Sequence, residues 1–585
     1  MGKPVLAGVT MFLRPIVARL VALAALLCCA GCGSAPEATL ILAGGPVWSL
    51  EGDTPAEAVA LRGDTLLGLG TRQAMEAFRG PATEYVELDG ATVLPAFVDH
   101  HLHVLNLGLA LVNRDGAQRI FLEVGGVGSL EELGELVRAR AAVAEPGTWI
   151  LGQGWSQAGW GTQDLPDTDV LDRAAPRNPV FLTRTDAHVG WANTVALAAA
   201  GLDETAADPP GGRLMRRADG SLTGVLLERA VEAVLAQVPP LSTEELAGAF
   251  RRGAEELAAR GVTRAYDAGF LTPPGILDLG PDFGALLAAV AEEDALRPLP
   301  VEIGLMIPGP SALAEAMLAG PGGHRLSPRL RVTHLKLFAD GALGGRSAAL
   351  THSYADDPTT RGVVRMSAEE ILDWSERALD AGLDVATHAI GDAAVAATLD
   401  AYERLLAERP GLDPRRLRIE HISYAREEDF RRAVDLGIPL SIQSVFNSPP
   451  GESPTFGEMR VGMSHGDAVY PWGRLADEGA LLLEGTDLYA LPGPVLLNLF
   501  AGLTAQNAVG VRGDGPTGRL PVMRMATRYL PPGGAGPEEG VLRVGAPADL
   551  VILSGDPLSA PLADLLEQRV LATFRRGRRV YSGGG

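Results

Sequence analysis

Of the 50 lysine and arginine residues in this 585-residue chain, only two are lysine, Lys3 and Lys336. Lys336 lies in the run Thr333-His334-Leu335-Lys336-Leu337-Phe338-Ala339-Asp340-Gly341. A lysine that survives so strong a drift to arginine suggests chemistry that a guanidinium cannot do. A buried amine can lose its proton and attack an electrophile such as CO2, whereas arginine stays charged; a chance leftover is the bland alternative. A second feature is Asp99-His100-His101-Leu102-His103. If the segment is a strand, alternation puts His101 and His103 on one side and sends His100 to the other. Two imidazoles so paired can grip a divalent cation, although two core histidines would look the same. His388, His421 and Asp487 each close an apolar run. Any one of them alone reads as structural; their joint placement at successive strand ends carries the argument.

The elements that must hold these groups alternate strand and helix. Strand-like runs occur at Val93 to Val98, Val262 to Tyr266, Val301 to Leu305, Leu330 to Phe338, Asp384 to Ala389, Leu417 to Ile422, Pro439 to Gln443 and Ala480 to Glu484. Helical periodicity fills the gaps, as at Ser367 to Ala381, where Ser367 and Glu370 form a capping-box pattern. Eight such strands predict a (β/α)8 barrel over residues 95–535, with the reactive groups on strands one, four, five, six and eight. Short β-rich segments at 38–94 and 536–585 predict one β-sandwich built from both chain ends. A long insertion after the first barrel strand, residues 104–246, is expected to form a lid or subdomain over the barrel mouth.

Hydrophobic residues make up 46% of the chain, enough for a large core, and the net charge of −22 argues against nucleic acid or an anionic membrane as the main partner. Residues 1–31 read as an export signal: Arg14 and Arg19, a short apolar core, then Ala30-Gly31-Cys32. That last tripeptide resembles a bacterial lipobox, which implies lipidation of Cys32, anchoring in the cell envelope, and membrane contact through that anchor alone. Cys29 stands where leucine is usual, so a plain signal peptide is the alternative. All three cysteines lie between residues 28 and 32, which leaves the mature domain no intrachain disulfide and no thiolate metal site. Self-association is left open.

The chain from Ala38 onward resembles the metal-dependent amidohydrolases, family 3, and within it the branch containing N-substituted formamide deformylase. The resemblance is carried by Leu94 to His103, Lys336 to Leu343, His388-Ala389-Ile390-Gly391-Asp392, Arg418-Ile419-Glu420-His421, Gly485-Thr486-Asp487 and Gly545 to Leu550. It implies that His101 and His103 bind one metal, that His388 and His421 bind a second, and that Lys336, carboxylated by CO2, bridges the two. Zinc or another first-row divalent ion suits such ligands. Asp487, also close to the metal, would take a proton from the metal-activated hydroxide and pass it to the departing amine. The implied reaction is hydrolysis of a non-peptide amide or related C–N bond in a small-molecule substrate, of N-substituted formamide or N-acyl type.

Secondary candidates follow from the same comparison. His188, in the insertion, is expected to reach the metals or the substrate carbonyl. Gln443 ends the seventh strand where the family places a polar substrate contact, although Ser444 replaces the expected proline. Trp155 and Trp160 are candidates for lining the pocket, with core packing, the commoner use of a tryptophan beside a glycine, as the alternative. Asp340, Asp392 and Glu420 are expected to support Lys336, His388 and His421 respectively. His324, His334, His352 and His465 read as structural or surface residues. Ala96 and His100 depart from the glycine and small polar residue usual there. The same ligands would serve an esterase, lactonase or phosphotriesterase, and a catalytically silent surface lipoprotein is the third reading.

Overall fold

The computed structural model describes residues 36–583, apart from 116–120, 162–163, 187, 240–241, 270, 273–274, 277–281, 321–323, 448–453, 463, 465–468, 488–495, 510–515 and 535–538. Cys32, the export segment and His465 lie outside the described residues.

Eight parallel strands form a nearly closed barrel: β1 (Phe97–Leu102), β2 (Val262–Asp267), β3 (Glu302–Pro308), β4 (Leu330–Phe338), β5 (Asp384–Ala389), β6 (Leu417–His421), β7 (Leu440–Ile442) and β8 (Leu482–Glu484). Each pairs with its sequence neighbour in the barrel. The strands are almost wholly buried, as expected where helices cover the outside of a parallel sheet. Between β8 and β1 the seam is drawn shut by the Asp487 N–H, which donates to the His101 carbonyl at 2.6 Å. Gly485 makes this approach possible, since a Cβ there would lie 2.6 Å from the His101 Cβ. The expected capping box opens the helix Ala368–Asp380, with Ser367 as N-cap and Glu370 reaching back to it.

The first expected strand is cut in two. Thr92–Pro95 belongs to another sheet, and the barrel strand starts at Phe97. The Ala96 N–H donates to Asp549 while the next, from Phe97, donates to Gly261. Adjacent residues thus hand the chain from one sheet to the other, after a proline that has no N–H to contribute.

That other sheet has eight strands drawn from both chain ends, joined where Thr92–Pro95 pairs antiparallel with Leu550–Leu553. It is one continuous hydrogen-bonded sheet. Alternate residues of Leu40–Val47 feed separate apolar clusters, Leu40 and Leu42 in one, Ile41 and Ala43 in the other, as a period of two requires. Between β1 and β2 stands a six-stranded sheet of Phe121–Glu123, Ile150–Trp155, Val180–Arg184, Val189–Ala192, Gly212–Arg216 and Leu222–Glu228. Its first three strands run parallel and the rest antiparallel. Among the described residues no helix is long and apolar enough to cross a membrane.

Candidate metal centre

The barrel brings the expected groups to one end. His101 stands one residue before the end of β1 with His103 just beyond it; Lys336 is in β4, His388 in β5, His421 ends β6, and Asp487 lies three residues past β8. Asp99 ties two of these segments together. Its Oδ1 accepts the N–H groups of His101 at 3.1 Å and Thr486 at 3.0 Å, and its Oδ2 accepts the Thr486 hydroxyl at 2.5 Å. Asp487 and His421 have φ of +50° and +72°, a left-handed conformation that non-glycine residues hold only where the surroundings over-determine it.

His101, His103 and Asp487 converge. His103 Nε2 lies 3.3 Å and His101 Nε2 3.7 Å from Asp487 Oδ1. Their other ring nitrogens are spent on the scaffold: His101 Nδ1 meets Glu420 Oε2 at 2.5 Å, and His103 Nδ1 meets the Gly269 carbonyl at 2.7 Å. One donor atom from each of the three lies within 4.8 Å of the others, the sole such group among the described residues. Two imidazole nitrogens, each on a ring whose other nitrogen is held, and a carboxylate oxygen are a fitting donor set for a divalent ion.

His421 and His388 stand beside this group rather than within it. The His421 ring is 4.6 Å from that of His101 and 4.5 Å from that of His388. His421 Nδ1 meets Gln443 Oε1 at 2.7 Å, and His388 Nε2 meets the Gly341 carbonyl at 3.1 Å. Lys336 is 1% exposed, and its Nζ has no hydrogen-bond partner among the described residues. Burial, helped by Arg418, pulls this amine from 10.5 down to about 8 against the pull of Glu420 and Asp487. A buried amine left without an acceptor is one that a CO2-derived group would satisfy.

The charges are arranged to suit metal ligation. Burial holds the imidazoles of His101, His388 and His421 below their ordinary value, with neighbouring cations adding to it. Burial would raise the Asp487 carboxyl, but His101, His103 and His421 outweigh it and keep the group below the usual carboxylate range. Glu420 is likewise held well down, since Arg418, His101 and Lys336 overcome its burial. An ionised Glu420 accepting from a neutral His101 leaves Nε2 with its lone pair.

Several supporting residues differ from expectation. Glu420 serves His101, which lies across the barrel from β6, and not His421. Asp340 accepts the N–H groups of Ala349, Ile390 and Gly391 and lies 3.6 Å from His388 Nε2, so it supports that strand end and not Lys336. Asp392 is spent on Thr351. Trp155 does not line the site: it is fully buried in the core of the inserted sheet beside Trp160 and Trp191, and its indole N–H is used by Leu182. Its apolar neighbours Val180 and Leu182 share that core, which claims the ring for packing. His188 does reach the centre, with its ring 4.9 Å from that of His388. Gln443 is fully buried and holds His421, and its Nε2 has no partner among the described residues. His100 stacks on Tyr266 at 5.1 Å and meets the Arg528 carbonyl, apart from the His101, His103 and Asp487 group. Asp99 was legible as the acid two residues before His101, but nothing in the sequence pairs it with Thr486.

Residues 84–581 match the family model described as the amidohydrolase family. The chain belongs to the amidohydrolase family. It is thus a hydrolase of the metal-dependent amidohydrolase superfamily, acting on carbon–nitrogen bonds. It is similar to the protein LONG AFTER FAR-RED 3 of Arabidopsis thaliana, 32% identical over 69% of this chain and 68% of that protein. It is also similar to the N-substituted formamide deformylase of Arthrobacter pascens, at 26% identity over 91% of this chain and 96% of the relative. Among solved structures, an uncharacterized metal-dependent hydrolase from Pyrococcus horikoshii aligns with a TM-score of 0.63 at 25% identity, over 90% of this chain and 99% of that one.

Proposed function

We propose that this amidohydrolase cleaves the C–N bond of a small N-substituted formamide or N-acyl amine. The observation that carries the reading is the convergence of His101 Nε2, His103 Nε2 and Asp487 Oδ1 beside a buried Lys336 amine that has no hydrogen-bond partner among the described residues. The likeness to a deformylase along nearly its whole length supports the substrate class. His101, His103 and Asp487 would hold one divalent ion and His388 and His421 a second, most simply zinc, with carboxylated Lys336 between them. Such ions, when bound, polarise the scissile carbonyl and lower the pKa of water toward neutrality.

The protein's own residues do the rest. Glu420, Gln443 and the carbonyls of Gly269 and Gly341 each take one ring nitrogen of His101, His421, His103 and His388, so that the other nitrogen of each ring is the one that would ligate. CO2 adds to the neutral Lys336 Nζ with loss of a proton, and the carbamate carries a negative charge. Asp487 accepts a proton from the attacking water and delivers it to the departing nitrogen. The C–O bond forms, the C–N bond breaks, and a carboxylic acid and an amine leave. The Gln443 Nε2 is a donor available to the substrate's oxygen.

The test is a panel of N-formyl, N-acyl, lactone and phosphotriester substrates offered to protein purified without chelator. Amide turnover is expected. Asp487→Asn should keep its metal and lose on the order of 10²–10⁴-fold in kcat. Turnover of lactones or phosphotriesters alone would overturn the substrate class. We also infer export and lipidation at Cys32, on the strength of the N-terminal segment. Wild-type protein should fractionate with membranes and Cys32→Ser should not; identical fractionation would sink the anchor.

A further inference from the structure

The inserted sheet reaches the centre through a carboxylate that the mechanism above leaves unused. Glu228 ends the strand Leu222–Glu228, its side chain is fully buried, and its φ is +51°. Its Oε2 accepts from His188 Nδ1 at 3.0 Å and from Arg365 at 3.0 Å, and its backbone N–H donates to the His188 carbonyl at 2.9 Å. Arg365 lies 5.1 Å over the Phe338 ring, which is itself 5.2 Å from Lys336 Nζ and 5.7 Å from the His388 ring. The His188 ring then returns to His388 at 4.9 Å. Insertion and barrel are thus joined in a closed circuit around the Lys336 and His388 side of the centre.

Two features argue that more than packing is at stake. Arg365 alone would balance the charge of Glu228, yet the same oxygen also takes an imidazole facing the reactive end of the barrel. The barrel loop also makes room for the carboxylate: a Cβ on Gly341 would fall 2.0 Å from Glu228 Oε1. A non-glycine residue in left-handed backbone, matched by a glycine facing it, is a costly way to place an ordinary ion pair.

The geometry points to Glu228 as a positioning residue: by accepting His188 Nδ1–H it fixes the ring and its tautomer, so that the Nε2 lone pair accepts the amide N–H of the substrate beside His388. This rests on the amidohydrolase reading above. A hydrogen bond on one ring nitrogen decides what the other can offer, and an anchored ring holds its geometry through turnover.

The experiment compares full-length, metal-loaded wild type with Glu228→Ala, Glu228→Gln, His188→Asn and the double variant His188→Asn/Glu228→Ala, on whichever N-formyl or N-acyl amine the wild type cleaves. Metal content and melting temperature are measured alongside. Glu228→Ala should lose about 10–100-fold in kcat/KM with metal retained. Glu228→Gln should lose less, because its carbonyl still accepts the Nδ1 proton. The double variant should fall no lower than His188→Asn alone. Wild-type activity in Glu228→Ala, multiplicative losses in the double variant, or a loss that tracks missing metal would overturn the assignment. Should Glu228→Ala not fold, a low-field imidazole N–H resonance in ¹⁵N-histidine-labelled wild type, absent from His188→Asn and shifted in Glu228→Gln, reads the pairing directly; its absence from wild type would overturn it. A wild type that cleaves no amide sinks the proposed function and leaves that resonance as the test of the pairing.

Discussion

Lys336 has an amine lowered from 10.5 to about 8, and this changes what is available to react. At neutral pH the shift enlarges the neutral fraction by about 300-fold, the difference between a group that rarely meets CO2 productively and one that does so readily. Arginine at this position would stay charged. Lys336→Arg and Lys336→Ala should therefore both lower metal content and reduce kcat/KM by at least about 100-fold, by analogy with loss of the groups that support ligands. Stripping bicarbonate from the buffer should slow the wild type and leave the residual rate of the variants unchanged. Metal stoichiometry by mass spectrometry, with kinetics at controlled CO2, checks both; a Lys336→Ala protein with full metal and full turnover would remove the carbamate from the mechanism.

At the scale of the element, β7 and β8 are joined by a contact that explains an oddity of the sequence. Ser444 stands where the family pattern has proline, and its N–H donates to Glu484 at 3.0 Å while its hydroxyl donates at 2.7 Å. A proline has no N–H to give. Burial pushes the Glu484 carboxyl from 4.5 up to about 8 despite these bonds. The folded protein thus binds a proton here that the unfolded chain releases, so stability should fall as pH rises from about 4.5 to about 8. Glu484→Gln, neutral throughout and able to bond Ser444, should flatten that part of the profile and melt higher than wild type at pH 8. Thermal scans across this window decide it, and parallel profiles would sink the idea. The strands themselves were legible because buried parallel strands read as continuous apolar runs, and the ligands because they close those runs. Partners across the barrel were not: Glu420 is next to His421 in sequence but bonds His101, and only closure of the sheet brings them together. Trp155 was ambiguous because a tryptophan beside a glycine looks the same in a pocket and in a core.

At the scale of the whole molecule, the chain's last strands bear on the first of the proposed metal ligands. Leu550–Leu553 pairs with Thr92–Pro95, and two residues later β1 begins its run to His101 and His103. Val551 is fully buried opposite Leu94, and its Cγ2 would lie 2.7 Å from a Cβ on Gly261, whose carbonyl receives the Phe97 N–H. Val551 packs in an apolar cluster with Leu94 and Phe97, and a charge buried there costs about 3–5 kcal/mol when left uncompensated. Val551→Asp should therefore lower the melting temperature and release metal in the same transition, although it lies far from the ligands in sequence. Val551→Thr, similar in shape and uncharged, should do far less. Calorimetry beside a metal-indicator dye separates the alternatives. If Val551→Asp melts its terminal sheet while the ions stay bound through a second, later transition, the two sheets are independent and the terminal strands do not hold β1 in place.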